Sequence, residues 1–294
     1  MTELTEKELD EILKESVSEQ LKLDKPIRTD NIEDFLNTHI KKKAVLGFDI
    51  YRYSQFDSLR QTLIPHLFKK LYHISIKNCL KNEQFFLEYK NLADFENRFI
   101  DTGDGGFQIF DTPIEAVIFA IYFQANIVRY NSGNQIHSDL HNLVGEISLR
   151  YSLTYDNVYC YKKNHYGPAI INCARIMSKD KLNRFLIDDN TIIWFNSELN
   201  SIETCQLFEA EKDFPTIPIF KDKFNKESYK SILFGKTSNN IKRLDILKIG
   251  EIKSKTDILS IYSAHFQVSF GSRGKDFVKF LVTLGNLNSS GLSE

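Results

Sequence analysis

Two carboxylates, Asp49 and Asp104, have the sequence context best suited to metal chemistry. Asp49 ends an apolar run over residues 44–48, which predicts a buried strand. Asp104 lies in a Gly-Asp-Gly-Gly turn between two apolar segments, and an Asp-Gly pair in that position is a strong hairpin signal. If the hairpin lies beside the strand, the two carboxylates meet. Such a pair supplies the hard oxygen ligands that a phosphate-bound divalent metal requires.

Each half of this pattern has a simpler alternative. An Asp at a strand end often caps a loop, and an Asp-Gly turn is often only a turn. Asp101, which precedes the turn, is predicted to be a structural hairpin residue rather than a third ligand. His137 and His141 are four residues apart, but Ser, Gly and Asn surround them, so an exposed loop is predicted there and not a metal site.

Composition narrows the class of protein. The chain has 294 residues, is 42% hydrophobic and 26% charged, and carries a formal charge of -1, which argues against a dedicated nucleic-acid surface. No apolar run approaches the length of a membrane span, and no leader pattern opens the sequence, so a cytoplasmic protein without membrane contact is expected. Four widely spaced cysteines predict buried thiols in a reducing compartment. They are Cys79, Cys160, Cys173 and Cys205.

Hydrophobic periodicity predicts alternating helices and strands. A helical extension is expected over 1–42, a main domain over 43–270, and a C-terminal helix with a flexible tail over 271–294. Gly167 and Pro168 start a further helix, in which Arg175 is expected near the buried face formed by Ile170, Ile171, Ala174 and Met177. The other predicted elements are strands at 44–50, 95–100, 107–110, 147–155, 158–161 and 182–187 and helices at 56–78 and after Thr112.

The order of these signals, with a Gly-x-x-x-x-x-Ala-x-Arg helix after the hairpin, resembles the catalytic domain of class III nucleotidyl cyclases over residues 43–262. The resemblance implies a ferredoxin-like α/β (α+β) domain with an antiparallel sheet flanked by helices. It also implies a homodimer, arranged head to tail, with composite active sites at the interface.

The same resemblance implies a metal site. Asp49 and the carbonyl of Ile50 match the first metal-binding position of the family, and Asp104 matches the second. Two Mg²⁺ or Mn²⁺ ions per active site are the implied cofactors. Backbone N–H groups of residues 51–56, near the next helix start, would hold phosphates.

Two further residues match family positions, and the first of them, Arg175, would come from the opposite subunit. Arg175 lies where the family has its transition-state arginine, and Lys253 where a lysine touches the triphosphate. Asn172 is displaced by one position from the ribose-orienting asparagine, whose own place is taken by Ile171. Outside the resemblance, Arg175 would be interpreted as a surface ion-pairing residue.

The nucleobase positions depart from the purine cyclases. Ile100 stands where adenylate cyclases have an adenine-reading lysine, and Asn164 stands where its partner aspartate would be, so no purine reader is expected. Arg52, flanked by Tyr51 and Tyr53, replaces a small turn residue. These three and Asn164 are candidate nucleotide contacts, although Tyr51, Arg52 and Tyr53 could equally be packing and surface residues.

Four motifs, at 47–54, 102–107, 166–170 and 178–185, are most similar to the pyrimidine cyclases of bacterial Pycsar antiphage systems. That similarity implies conversion of UTP to 3′,5′-cyclic UMP and pyrophosphate in antiphage defence, with a cyclic-pyrimidine-activated effector downstream. A cytidylate cyclase remains open, because the sequence does not decide between UTP and CTP. A purine cyclase and a degenerate nucleotide-binding sensor remain open as well.

Overall fold

The computed structural model describes residues 40–87, 90–133, 138–161, 164–207, 241–253, 258–271, 279–288 and 290–292. The predicted N-terminal arm falls outside these residues except for its last few positions. His137, most of the segment 200–250, and residues 254 and 255 after Lys253 also lie outside them.

Helices and strands alternate along the described chain. The helices are α1 (Ser58–Asn82), α2 (Gln84–Leu87), α3 (Leu92–Asn97), α4 (Pro113–Asn131), α5 (Ser138–Val144), α6 (Pro168–Lys179) and α7 (Asp189–Leu207). The strands are β1 (Lys41–Ile50), β2 (Phe99–Asp101), β3 (Gly105–Phe110), β4 (Leu149–Tyr161), β5 (Asn164–Tyr166), β6 (Phe185–Asp188), β7 (Ile241–Lys253), β8 (Ile258–Gly271) and β9 (Lys279–Leu284). Within this described part, no helix has the length and apolar character needed to cross a bilayer.

The strands form one sheet in the order β2-β3-β1-β4-β6-β8-β7, with β5 paired to β4 and β9 paired to β8. The predicted α/β class, a sheet flanked by helices, is confirmed. The sheet is mixed rather than wholly antiparallel, because β4 and β6 run parallel. A parallel pair requires a crossover connection, and α6 lies in the segment that joins these two strands.

Strand β1 is buried on both faces because helices cover each side. On one face, the ring of Phe48 lies 5.7 Å from that of Phe68 on α1 and 5.2 Å from that of Phe123 on α4. On the other face, α6 approaches Gly47 so closely that a Cβ there would lie 2.5 Å from Sδ of Met177. This packing fixes the strand that ends at Asp49.

The buried face of α6 differs from the predicted one. Ile171 is 51% exposed and Ala174 is also exposed, whereas the residues that meet the sheet are Ala169, Cys173, Ile176 and Met177. The small side chains of Ala169 and Cys173 allow the close approach to β1 that a larger residue would prevent. Arg175 therefore lies on the exposed face, not near the buried one as predicted.

Two further predicted boundaries are corrected. The first hairpin strand is only Phe99–Asp101, because a capping box between Asn91 and Asp94 starts α3 just before it. The predicted C-terminal helix is wrong, since Lys279–Leu284 is a strand that pairs with β8. Apolar residues at every second position of that segment favour a strand. Beyond it, the segment predicted as a flexible tail is bonded to the domain, since Asn286 Nδ2 donates to the carbonyl and side-chain oxygens of Asn183, both at 3.0 Å.

Asp188, at the end of β6, gives a prediction for pH-dependent stability. It is fully buried, accepts a hydrogen bond of 2.9 Å from the N–H of Thr191, and burial raises its pKa to about 7. An unfolded Asp titrates near pH 3.9, so between about pH 4 and 7 the native state keeps a proton that the unfolded chain has released. Stability should therefore fall by about 4 kcal/mol as pH rises through this window and level off above it.

Asp188→Asn should remove most of that slope, because the amide does not titrate. Urea unfolding at pH 5 and pH 8 measures it, with the exposed Asp139→Asn as the control that should keep the wild-type slope. An unchanged slope in Asp188→Asn would contradict the prediction.

Candidate active site

The β2–β3 hairpin places Asp104 beside the end of β1. Asp49 pairs with Gly105 across the two strands, and the N–H of Ile50 donates to the carbonyl of Asp104 at 3.0 Å. Only glycine fits after Asp104, because a Cβ on Gly105 would lie 2.2 Å from the carbonyl oxygen of Phe48. The carboxylates of Asp49 and Asp104 therefore come together at one end of the sheet, as the hairpin signal predicts.

The charge of Asp49 influences the pKa of Asp104. Burial raises the pKa of Asp104, and the negative charge of Asp49 raises it further, while a backbone hydrogen bond and the guanidinium of Arg150 lower it. Because Asp49 disfavours the ionised form of Asp104, a positive charge beside the two residues is favourable.

Arg150 supplies that charge, and sequence reasoning missed it. Its Nε donates to Oδ1 of Asp49 and its Nη2 to Oδ2, both at 2.7 Å, which is the bidentate geometry of a strong ion pair. The hydrogen bonds to Asp49 raise the pKa of Arg150. The available signal was its position: an arginine between the buried Leu149 and Tyr151, at the start of the strand next to β1.

In the loop after Asp49, the side chains of Tyr51, Arg52 and Tyr53 all contact other residues of the protein. Arg52 has φ 61° and ψ 30°, a left-handed conformation that is uncommon outside glycine, and its guanidinium lies 5.0 Å from the ring centre of Tyr51. The hydroxyl of Tyr51 donates to the carbonyl of Lys181 at 3.2 Å. Tyr53 instead donates to the carbonyl of Gln61 on α1 at 2.7 Å and packs against the core, which favours its structural interpretation.

Part of the predicted phosphate cradle is already used by the backbone. The N–H of Tyr51 donates to the carbonyl of Ser148, that of Gln55 to Arg52, and that of Phe56 to Tyr53, at 2.8 to 3.1 Å. The cradle predicted over 51–56 is therefore reduced to at most the N–H groups of residues 52–54.

A second group of candidate residues lies away from the carboxylates. Arg175 is exposed on α6, where its Nη1 donates to Oδ1 of Asn172 at 3.3 Å. It points away from the face whose Cys173 and Met177 contact β1. Within one chain, α6 therefore does not present Arg175 to Asp49.

Lys253 and Asn164 are also separated from the carboxylates. Lys253 ends β7, which lies four strands from β1, or about 19 Å at the usual strand spacing. Asn164 is exposed at the start of β5, opposite Tyr161 of β4. One chain thus brings together Asp49, Ile50, Asp104 and Tyr51, whereas Arg175, Lys253 and Asn164 lie on exposed surfaces away from the carboxylates.

Comparison with solved structures finds nucleotide cyclase domains of low similarity. An adenylate/guanylate cyclase/hydrolase from Silicibacter pomeroyi is 15% identical, with 76% of this chain and 96% of that chain covered and a TM-score of 0.42. The catalytic core of a rhodopsin-guanylyl cyclase is 13% identical, with 76% and 97% covered and a TM-score of 0.43. Adenylate cyclases from Trypanosoma brucei are 11% identical, with 76% and 89% covered and a TM-score of 0.41. No protein-family model and no curated protein matches the sequence. Values this low do not assign residues or chemistry.

The donor set at the carboxylates is consistent with a hard divalent metal. It consists of two aspartates and the adjacent carbonyl of Ile50, and the described part of the chain contains no group of three or more His, Cys, Asp or Glu residues. Mg²⁺ commonly binds through one or two carboxylates and completes its shell with water and phosphate oxygens. The guanidinium of Arg150 already occupies the carboxylate of Asp49. A metal would therefore have to displace the guanidinium or share the carboxylate with it.

Proposed function

We propose that this protein is a pyrimidine nucleotide cyclase that converts UTP to 3′,5′-cyclic UMP and pyrophosphate. The observation that carries the proposal is the convergence of Asp49, at the end of β1, and Asp104, in the β2–β3 turn, beside the guanidinium of Arg150. Two acids and a cation at a solvent-accessible strand end can hold a triphosphate together with its metals.

In the proposed reaction the ribose 3′-oxygen forms a bond to the α-phosphorus in line with the breaking bond to pyrophosphate, and the hydroxyl proton is released to water. Asp49, Asp104 and the Ile50 carbonyl would hold two Mg²⁺ or Mn²⁺ ions, whose chemistry is to acidify the hydroxyl and neutralise the phosphates. Arg150 would remain beside Asp49, and its planar guanidinium could bind phosphate oxygens in pairs if it left that carboxylate. The left-handed backbone at Arg52 turns the chain just after the metal-binding strand.

A homodimer with composite sites completes the proposal. Arg175 is exposed and pairs only with Asn172 among the side chains of the described chain, so it is available to a second copy, where it would meet charge developing at the α-phosphoryl group. Asn172 would orient the ribose and Lys253 would contact the triphosphate. Exposed aromatic residues of the β4–β5 hairpin, Tyr159 and Tyr166, stack at 5.4 Å and suit a subunit contact.

A pyrimidine substrate is favoured by what surrounds the purine-reading position. Ile100 pairs with Phe107 and packs into an apolar cluster, so it offers no hydrogen bond to an adenine. The exposed amide of Asn164 can both donate and accept, which suits uracil or cytosine, so a cytidylate cyclase is the alternative. Asn164, together with Tyr51 and Arg52, forms the proposed contact to the base. The proposal extends to a cytoplasmic role in antiphage defence with a cyclic-pyrimidine-activated effector, on the resemblance in sequence.

Incubation with each of the four NTPs and Mn²⁺, followed by mass spectrometry, tests the substrate. We expect cyclic UMP and pyrophosphate from UTP, and no product from the Asp104→Asn variant. Cyclic CMP alone would support the cytidylate alternative, and a purine product would overturn the pyrimidine proposal. Binding of UTP without pyrophosphate release would support a nucleotide sensor, the function that the closed Arg150–Asp49 ion pair otherwise favours.

A further inference from the structure

A chain of ion pairs and hydrogen bonds runs from the candidate metal site to the C-terminal segment. Arg150 donates through Nη1 to the carbonyl of Asp180 at 2.6 Å, in addition to its two bonds to Asp49. The carboxylate of Asp180 accepts from Nε and Nη2 of Arg184 at 3.0 and 2.7 Å. Arg184 then donates through Nη1 to the carbonyl of Ser290 at 2.6 Å. Three residues, Arg150, Asp180 and Arg184, thus connect Asp49 with a segment more than a hundred positions beyond Arg150.

The middle of this series of bonds is buried, so its residues cannot exchange these bonds for bonds to water. Arg184 is 1% exposed and Asp180 is 2% exposed. A buried guanidinium is costly unless its donors find acceptors, and the carbonyl of Ser290 accepts from Nη1 of Arg184, whereas Oδ2 of Asp180 is buried without a hydrogen-bond partner in the described part of the chain. Both residues belong to the 178–185 motif, which the proposed metal site alone leaves unexplained.

The C-terminal segment is fixed at two further points. Asn286 donates to the main-chain and side-chain oxygens of Asn183, in the turn between α6 and β6. Leu292 packs with a small apolar cluster that includes Ile176 of α6 and Leu186 of β6. The C-terminal residues therefore contact the turn that carries the carbonyl of Asp180.

We propose that Arg184 and the C-terminal residues 286–288 and 290–292 are positioning residues for Arg150, which they act on through Asp180. The inference rests on the proposed function, in which Asp49 binds metal and Arg150 binds the triphosphate. The carbonyl of Asp180 is the third acceptor of the Arg150 guanidinium, and three acceptors around a planar group fix its orientation. Arg184 and the C-terminal segment determine where that carbonyl lies.

This arrangement predicts opposite effects on metal binding and on turnover. A divalent ion at Asp49 must displace Arg150 or share the carboxylate with it, so a loosely held guanidinium should give way more easily and the ion should bind more tightly. The same loose guanidinium must be reordered on the triphosphate, so turnover should fall. A purely structural loss would instead weaken metal binding and activity together.

The test uses Arg184→Lys and Asn286→Ala in the full-length chain. Lysine keeps the buried charge but lacks the fork that bridges Asp180 and Ser290, and alanine releases the turn at Asn183. For Arg184→Lys we expect the Mn²⁺ dissociation constant, measured by electron paramagnetic resonance, to fall up to about tenfold, and kcat/KM with UTP to fall by about tenfold. Asn286→Ala should also lower the Mn²⁺ dissociation constant and kcat/KM, each by a smaller factor.

Arg98→Lys is the matched control, because Arg98 forms an ion pair with Asp111 at the other end of β3, about 20 Å from Asp104 at the usual rise per residue. It should leave both quantities at wild-type values. Weaker or unchanged Mn²⁺ binding in folded Arg184→Lys, as judged by circular dichroism, overturns the proposal. If Arg184→Lys does not fold, Asn286→Ala decides in the same way. Mn²⁺ binding by wild type that survives Asp104→Asn would overturn the proposed metal site instead, so the two failures are distinguishable.

Discussion

Asp104→Asn is expected to lower kcat/KM for cyclisation by at least about 10²–10³-fold, the loss measured when one preorganised electrostatic group is removed. The amide keeps the size of the carboxylate but gives up the charge that, with Asp49, attracts a divalent ion. The hairpin itself should persist, because the N–H of Ile50 bonds to the backbone carbonyl of residue 104 and not to its side chain. Steady-state kinetics with Mn²⁺ and UTP measure the change.

Asp101→Asn is the matched control, since it removes a carboxylate from the same hairpin. Asp101 accepts from the N–H of Gly103 at 2.8 Å and pairs with Lys69 at 3.1 Å, both structural contacts. The Asp101→Asn variant should retain activity near that of wild type and lose a little stability. Asp104→Asn should melt no lower than wild type, because the protein raises the pKa of Asp104 and thus disfavours its charge. Turnover by Asp104→Asn close to that of wild type would contradict the proposed role of the carboxylate pair.

Sequence signals predicted the parts of the site that local chemistry determines. The strand ending at Asp49 follows from an uninterrupted apolar run, the turn at Asp104 from an Asp-Gly pair, and the start of α4 from Pro113 at its first position. Each signal is contained within a few residues, so no tertiary information was needed.

The parts that were missed depend on contacts between distant segments. Arg150 meets Asp49 over a separation of 101 residues, and Arg184 meets Ser290 over 106. The face of α6 was mispredicted because Ile171 is apolar yet exposed, and apolarity alone does not identify the buried side. The C-terminal segment is polar, a composition typical of a tail. Its order comes from Arg184 and Asn183, which only the folded chain brings to it.

Mixing two inactive variants should restore activity if the sites are composite. Arg175→Ala alone and Asp104→Asn alone are each expected to be inactive or nearly so. A dimer containing one of each has one site with both defects and one site with neither. Random exchange in an equal mixture should therefore give about a quarter of wild-type activity, since half of the dimers are mixed and each has one intact site of two. The measurement is UTP turnover after co-refolding or subunit exchange.

The control mixture is Asp49→Asn with Asp104→Asn. Both defects fall on the same half-site, so every site in a mixed dimer carries one of them and no activity should return. Arg175→Ala is a clean probe because the side chain is exposed and donates within the described chain only to Asn172, so its removal should not disturb packing. Failure of the Arg175→Ala and Asp104→Asn mixture, with mixed dimers verified by mass spectrometry, would mean that Arg175 does not serve the carboxylates of a second copy. Recovery in that mixture alone would place Arg175 on one subunit and Asp104 on the other within the same working site.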